Sequence, residues 1–462
     1  MADRAKEPSK SDNAYDRRIA LSLINALGHS AQAPAPERRL ALLLELWQRT
    51  RLDWGFVTDR LAVAFRAHAW LGSHDRRFIA ETLFGLVRGL RRLDAALALA
   101  VPPSQRRTIT DAHRLVAYWL EQGLIDEAEA GRFDATVAWG GVPRFAASLA
   151  RAPLRERVAV GESMPDWLAT RLIADWGDEA VALAHALAER APMTIRANLL
   201  RAPKATVVEL LAEQGLEVVP GRYCDTALVL DSRINLFGIE AFKEGYFEAQ
   251  DEGSQLLADL TYAASGPRPK CIIDYCAGAG GKTLALAARM SNKGRLVSTD
   301  IDDRKLQQLK KRARRAGVSN HQAFALAADA WPDGLHRLVG TADGVLVDAP
   351  CSGTGALRRN PEAKWRMQES DIAAFVAKQR QIARKAAALV RPGGVLVYAT
   401  CSVLAAENAE QARALAAELP GFRLEPVTGV DGALINDEGH FVTAPHRTGT
   451  DGFFAAVFRR QE

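Results

Sequence analysis

The chain has little cysteine. Five occur in 462 residues, at 224, 271, 276, 351 and 401, and no two form a C-x-x-C pair. An odd, sparse set in a long chain argues against a disulfide framework and points to a reducing compartment. No metal-ligand spacing is present, and no metal is expected. Apolar runs long enough to span a membrane are also missing. Residues 1–18 are polar and charged and lack the apolar centre of a secretory signal, so a cytoplasmic location is expected. No internal repeat is visible. Neither sign of charge dominates: the net charge of +5 permits a nucleic-acid partner without demanding one.

What is present is enough chain for two to four domains, each with a real core. Residues 1–13 are polar and read as a disordered tail. From 14 to 150 alanine, leucine and arginine dominate, and apolar residues recur at helical spacing, as at Phe78, Leu83, Phe84, Leu86, Val87 and Leu90. That pattern predicts a helical bundle. After a charged connector, Ser163 reads as an N-cap and Pro165 as a first-turn residue of a further helix. Short β-type segments at 194–199, 216–219 and 227–230, with a helix around 205–214, make 160–250 a small α+β domain. From 251 to 462 strands at 271–277, 294–300, 321–329, 343–350 and 394–402 alternate with helices, and 452–459 reads as a closing strand. The rhythm predicts an α/β fold, a Rossmann-like doubly wound and mainly parallel sheet.

A glycine-rich turn follows the first of these strands: Cys276, Ala277, Gly278, Ala279, Gly280, Gly281, Lys282. Such a turn lets backbone approach a ligand and aims amides at it. It is not a P-loop, because the first glycine of that motif would stand where Cys276 is. It is not a dinucleotide fingerprint either, because its last glycine would replace Thr283. Asp300 closes the next strand and suits ribose hydroxyls. A nucleoside without a pyrophosphate, such as S-adenosylmethionine, fits this set. Asp300, Asp329, Asp348 and Cys401 all stand at carboxyl ends of expected strands, the ligand edge of an open α/β sheet. Cys351 follows Asp348 on one turn. Two thiols and a carboxyl group at that edge suit covalent catalysis. Cys224 and Cys271 read as small apolar fillers, and Cys276 as a structural or backbone-contact residue.

The strings DAPCSGTGALRRNPEAKWR (348–366), RPGGVLVYATCSVLAAENAEQ (391–411), DYCAGAGGKT (274–283) and FEAQDEGSQL (247–256) resemble the RNA cytosine-5 methyltransferases, especially those of bacterial small-subunit ribosomal RNA. The resemblance covers 245–462. It implies that Cys401 is the nucleophile toward carbon 6 of cytosine, that Cys351 assists product release, and that Asp348 contacts the cytosine. It also implies that residues 276–282, Asp300, Asp329 and Asp348 hold S-adenosylmethionine. Lys282 is expected to pair with a carboxylate that the sequence does not identify. DNA cytosine methyltransferases carry the nucleophile in Pro-Cys and pair it with Glu-Asn-Val. Here Glu407-Asn408 is followed by Ala409 and comes after Thr-Cys, which disfavours DNA. One departure stands out. The resembled family has Ala-Pro where this chain has Gly278-Ala279, a change that should loosen the loop.

The expected partner is RNA, with small-subunit ribosomal RNA favoured over transfer RNA, and the chain is expected to act as a monomer. A catalytically silent RNA-binding assembly factor is the rival reading. Arg358, Arg359, Lys364 and Arg366 follow the catalytic turn and are the expected phosphate contacts. Trp365 reads equally as a base-stacking or a core residue. Residues 304–315 hold seven basic side chains and read as a solvated helix or an RNA contact. Residues 73–94 resemble the NusB-like RNA-binding domain of the same enzymes, and 192–198 their small RRM-like domain.

Overall fold

In the computed structural model, residues 10–27, 36–231, 234–327 and 331–462 are described. Asp329 and residues 1–9 of the expected tail lie outside them, while residues 10–13 already belong to the first helix. Among the described residues no helix is long and apolar enough to cross a membrane.

Contacts divide the chain into two compact units, residues 1–190 with 357–369, and residues 191–356 with 370–462. Among the described residues the first is all helical. Helices Lys10–Leu27, Pro36–Asp53, Val57–Ala67, Ser73–Ala100 and Asp111–Glu121 enclose a core that includes Leu43, Trp47, Leu83, Leu86, Val87, Leu97 and Trp119. The boundary lies some thirty residues beyond the expected connector. The reason is local. Arg91 donates to the Met164 carbonyl at 2.9 Å, and Arg92 to the Gly161 carbonyl at 2.7 Å, so the helices that follow are tied to Ser73–Ala100. Ser163 is not the expected cap. It sits buried at φ +50, its hydroxyl accepts from the Arg92 N–H, and the helix Asp166–Trp176 starts from Pro165.

The second unit opens with a four-stranded antiparallel sheet of β1 (Met193–Ala197), β2 (Val218–Pro220), β3 (Ala227–Leu230) and β4 (Phe247–Ala249), in the order β2-β3-β1-β4. The short β4 carries no β-type run of its own; pairing with β1 makes it a strand. Eight strands form the larger sheet: β5 (Cys271–Asp274), β6 (Arg295–Asp300), β7 (His321–Ala325), β8 (Ala342–Asp348), β9 (Val390–Thr400), β10 (Phe422–Glu425), β11 (Phe441–Thr443) and β12 (Phe453–Arg460). The order is β10-β12-β9-β8-β5-β6-β7, with β11 on β12. Strands β5 to β9 pair in parallel, and β10, β11 and β12 add antiparallel partners. The parallel strands are sealed by Ile272, Ile273, Leu296, Val297, Val345, Leu346, Leu396 and Val397, all fully buried, as expected for a sheet covered on both faces. From β5 the chain winds outward through β6 and β7, then returns to β8 and β9 on the other side. That reversal places the ligand crevice at the carboxyl ends of β5 and β8.

Candidate active site

The strands end in a common row. Asp348 is level with Ala399 of β9, so the turn after β8 and the turn after β9 start side by side. Cys276, Ala277, Gly278, Ala279, Gly281, Lys282, Asp300, Asp348, Cys351 and Cys401 are all half-buried, above strands that are closed to solvent. Side chains that are reachable on top of a dry sheet are what a ligand crevice requires.

The two cysteines predicted from separate strings meet here: Cys351 Sγ and Cys401 Sγ are 3.4 Å apart. Their hydrogen bond, then burial, then the charge on Cys401 raise the Cys351 pKa well above the ordinary thiol value. Burial, and after it the negative charges of Asp348, Asp274 and Asp300, push up the Cys276 thiol, which suits a structural role. Burial likewise pushes Cys224 to about 12 and Cys271 to about 11. Beside Cys224, Arg289 donates to the carboxylates of both Asp225 and Asp259, which occupies the cluster of possible metal ligands there.

Lys282 finds its carboxylate in Asp348, donating from Nζ to Oδ2 at 2.7 Å. Burial alone would lower the lysine pKa, but the charge and hydrogen bond of Asp348 outweigh it and raise it, so Lys282 stays a cation. The pair holds the Asp348 side chain at the mouth of the crevice. On the cofactor side, Asp300 accepts the Gly278 N–H through Oδ2 and the Asp302 N–H through Oδ1, both at 2.8 Å. Each carboxylate oxygen keeps a further lone pair for a ligand hydroxyl. Gly278 (φ +54) and Gly280 (φ +88) lie in the left-handed region, and the loop between them is bare of large side chains. The residues present thus fit a nucleoside cofactor.

Asp274, at the end of β5, was not singled out from the sequence. It is 1% exposed. Thr283 donates to its Oδ2 at 2.6 Å, and Oδ1 has no partner. Burial pushes this carboxyl up to about 7, with Asp348 adding to the rise. The unfolded chain therefore loses this proton near the ordinary value of 3.8 while the folded protein keeps it. Its contribution makes stability fall as pH rises from about 4 to about 7, and the loss is complete above that. Asp274→Asn is expected to gain stability over the wild type at pH 8, by up to roughly 4 kcal/mol, and almost nothing at pH 4. Urea unfolding midpoints of both proteins at the two pH values would check this; equal effects at both would contradict it.

The structure also reveals what aligns the two cysteine turns. Glu407 is fully buried. It accepts from the Ser352 N–H at 2.9 Å, from the Ser402 hydroxyl at 2.6 Å and from Gln379 Nε2 at 2.9 Å. Ser352 follows Cys351 and Ser402 follows Cys401, so one carboxylate grips the residue next to each sulfur. Asn408 adds a clasp from its amide to the Ser402 carbonyl at 2.8 Å. The Glu-Asn pair was visible in the sequence, but its partners were not.

The expected phosphate contacts are only partly placed at the surface. Lys364 is 2% exposed and Arg358 5%. Within the helical unit Lys364 Nζ donates to the Arg88 carbonyl at 3.0 Å, and Trp365 Nε1 to the Val87 carbonyl at 2.8 Å. Trp365 also packs against Trp54. These are structural positions, which corrects the expectation for Arg358 and Lys364 and decides Trp365 as a packing residue. Arg359 is half-buried and Arg366 is exposed.

Comparison with known proteins gives matches in both units, one of them crossing the boundary at residue 190. Residues 266–459 match the family model described as 16S rRNA methyltransferase RsmB/F, and residues 164–236 match a ferredoxin-like domain of RsmF/B-like methyltransferases. The chain is 33% identical over 334 residues to the probable ribosomal RNA small subunit methyltransferase B of Bacillus subtilis, covering 70% of this chain and 71% of that protein. It is 34% identical over 332 residues to the ribosomal RNA small subunit methyltransferase B of Xylella fastidiosa, covering 69% and 73%. Among solved structures it is similar to the crystal structure of PH0851, with a TM-score of 0.73, 25% identity, and 93% and 100% of the two chains covered. The fold is also that of NSun6 from Pyrococcus horikoshii, solved with SFG, with a TM-score of 0.57, 21% identity, and 64% and 98% covered.

Proposed function

Because this chain belongs to the RsmB/F family of 16S rRNA methyltransferases, we propose that it methylates carbon 5 of a cytosine in small-subunit ribosomal RNA through a covalent bond from Cys401. It is an RNA methyltransferase whose cofactor is S-adenosylmethionine. The observation that carries the finer reading is the pair of sulfurs 3.4 Å apart at the carboxyl ends of neighbouring strands.

Carbon 5 of cytosine is a weak nucleophile. Cys401 gives its thiol proton to solvent, bonds as the thiolate to carbon 6, and pushes the ring electrons onto carbon 5. Asp348, anchored through one oxygen by Lys282, has its other oxygen to accept from the exocyclic amine of the base and so orients the ring for attack. When bound, S-adenosylmethionine supplies an electrophilic methyl group for carbon 5. With Cys401 tied up in the C6–S bond, its charge and its hydrogen bond no longer hold the proton on Cys351. Cys351 then gives that proton to solvent and accepts the one on carbon 5. The electron pair left behind restores the 5,6 double bond and expels the Cys401 thiolate. A sulfur reaching the ring face requires the base to be turned out of any stack, which favours a looped target. Glycine-loop residues 276–282, Asp300 and Asp329 are assigned to the cofactor. Arg359, Arg366 and the NusB-like reading of the helical unit are assigned to RNA. Bisulfite sequencing of total RNA from cells with and without the protein tests the substrate. One small-subunit cytosine losing its protection in its absence is the expected result; loss at a transfer-RNA site, or nowhere, refutes it.

A further inference from the structure

The glycine loop lacks two of the usual restraints. It carries no proline, and at Gly278, whose N–H is bonded to Asp300, a Cβ would meet nothing within 4 Å, so no side-chain packing confines it. Gly280 is confined, because a Cβ there would lie 2.4 Å from Leu309 Cγ. Between these two positive-φ glycines stands Ala279, and its carbonyl is held from outside the loop. Arg312, on the helix Asp303–Ala316, donates from one guanidinium nitrogen to Ala279 O at 2.7 Å. Its other terminal nitrogen donates to Glu248 Oε2 at 3.0 Å. Glu248 belongs to β4 of the four-stranded sheet, is 2% exposed, and is also paired with Arg315. A buried carboxylate fixes its partners firmly, since leaving it bare is costly. The planar fork of Arg312 is thereby set in one orientation, with its free arm on the loop.

We propose that Arg312 is a positioning residue for the cofactor loop, and that Glu248 locks it, so that the small sheet sets the affinity for S-adenosylmethionine. The proposal rests on the cofactor reading above. Its physical basis is preorganisation. Backbone bonds already hold residues 277, 278 and 280, which leaves the peptide at Ala279, between two positive-φ glycines and without a proline, as the part with conformations to lose on binding. Holding the Ala279 carbonyl removes part of that loss before the ligand arrives. Neither residue needs to touch the cofactor.

The test uses the full-length protein and its Arg312→Gln, Arg312→Lys and Glu248→Gln variants, with calorimetric titration of S-adenosylmethionine and S-adenosylhomocysteine. Arg312→Gln leaves Glu248 paired with Arg315, so the fold should survive. It is expected to bind both ligands roughly tenfold more weakly, the scale of a lost charged hydrogen bond. KM for S-adenosylmethionine should rise by the same factor, with kcat and KM for RNA near the wild type. In the ligand-free variant the amides of 277–281 should exchange faster. Arg312→Lys, which can reach one acceptor but not both, should fall between, and Glu248→Gln should weaken binding in the same direction. Wild-type affinity and exchange in Arg312→Gln would overturn the proposal alone. So would an equal loss of cofactor affinity, RNA affinity and melting temperature, which would mean general destabilisation. A wild-type protein that binds neither ligand would instead sink the cofactor reading, and the proposal with it.

Discussion

Replacing Cys401 by alanine is expected to reduce methyl transfer by at least about 10³-fold, because the substitution removes the bond that activates carbon 5. Tritiated-methyl incorporation into unmodified small-subunit RNA measures this. The variant should keep its fold. Cys401 is only half-buried, and the hydrogen bond from the Gly355 N–H to its carbonyl, at 2.9 Å, does not involve the side chain. Glu407 still grips Ser402 in the variant, so the turn keeps its shape. A melting curve near that of the wild type, with RNA binding retained, separates lost chemistry from lost structure. Should Cys401→Ala retain most of its activity while Cys351→Ala loses all of it, the nucleophile has been assigned to the wrong sulfur.

Cys351→Ala is expected to behave differently, although its sulfur is only 3.4 Å away. Of the two cysteines, attack and methylation need only Cys401. Elimination needs a base for the carbon 5 proton, and loss of a positioned base slows such a step by on the order of 10²–10⁴-fold. The enzyme should therefore stop with RNA attached. On a denaturing gel, Cys351→Ala incubated with RNA and S-adenosylmethionine should give a slow band containing both label and protein. The double variant with Cys401→Ala should give none. An adduct that persists in the double variant would place the bond on another residue. Turnover by Cys351→Ala at the wild-type rate, with no adduct, would remove Cys351 from the release step.

These two outcomes depend on geometry that the sequence states only in pieces. Thr400-Cys401 and Pro350-Cys351 are legible as turns at strand ends because β-type runs stop just before them, and strands in a parallel sheet all deliver their carboxyl ends to one edge. The glycine loop and Asp300 were legible for the same reason. Lys282 was legible as a paired cation, but its partner was not. Asp348 is 66 residues away and reaches it only because β8 lies beside β5. Glu407 escaped for a similar reason: a glutamate in a short turn looks solvated until the serines beside both cysteines close around it. Arg358 and Lys364 were misread as phosphate contacts because a basic cluster after a catalytic turn carries no sign of burial. Residues 357–369 pack with the helical unit, and Lys364 gives its proton donor to a backbone carbonyl.

By itself, then, the order of residues determined the strand-and-helix rhythm, the reactive edge and the chemical types gathered there, since side-chain period and turn chemistry are local properties. Only the tertiary structure decided which groups pair: Lys282 with Asp348, Glu407 with both cysteine turns, Arg312 with Ala279 and Glu248. Those contacts join residues dozens of positions apart, and their partners are chosen by strand order and helix packing, which no local pattern encodes.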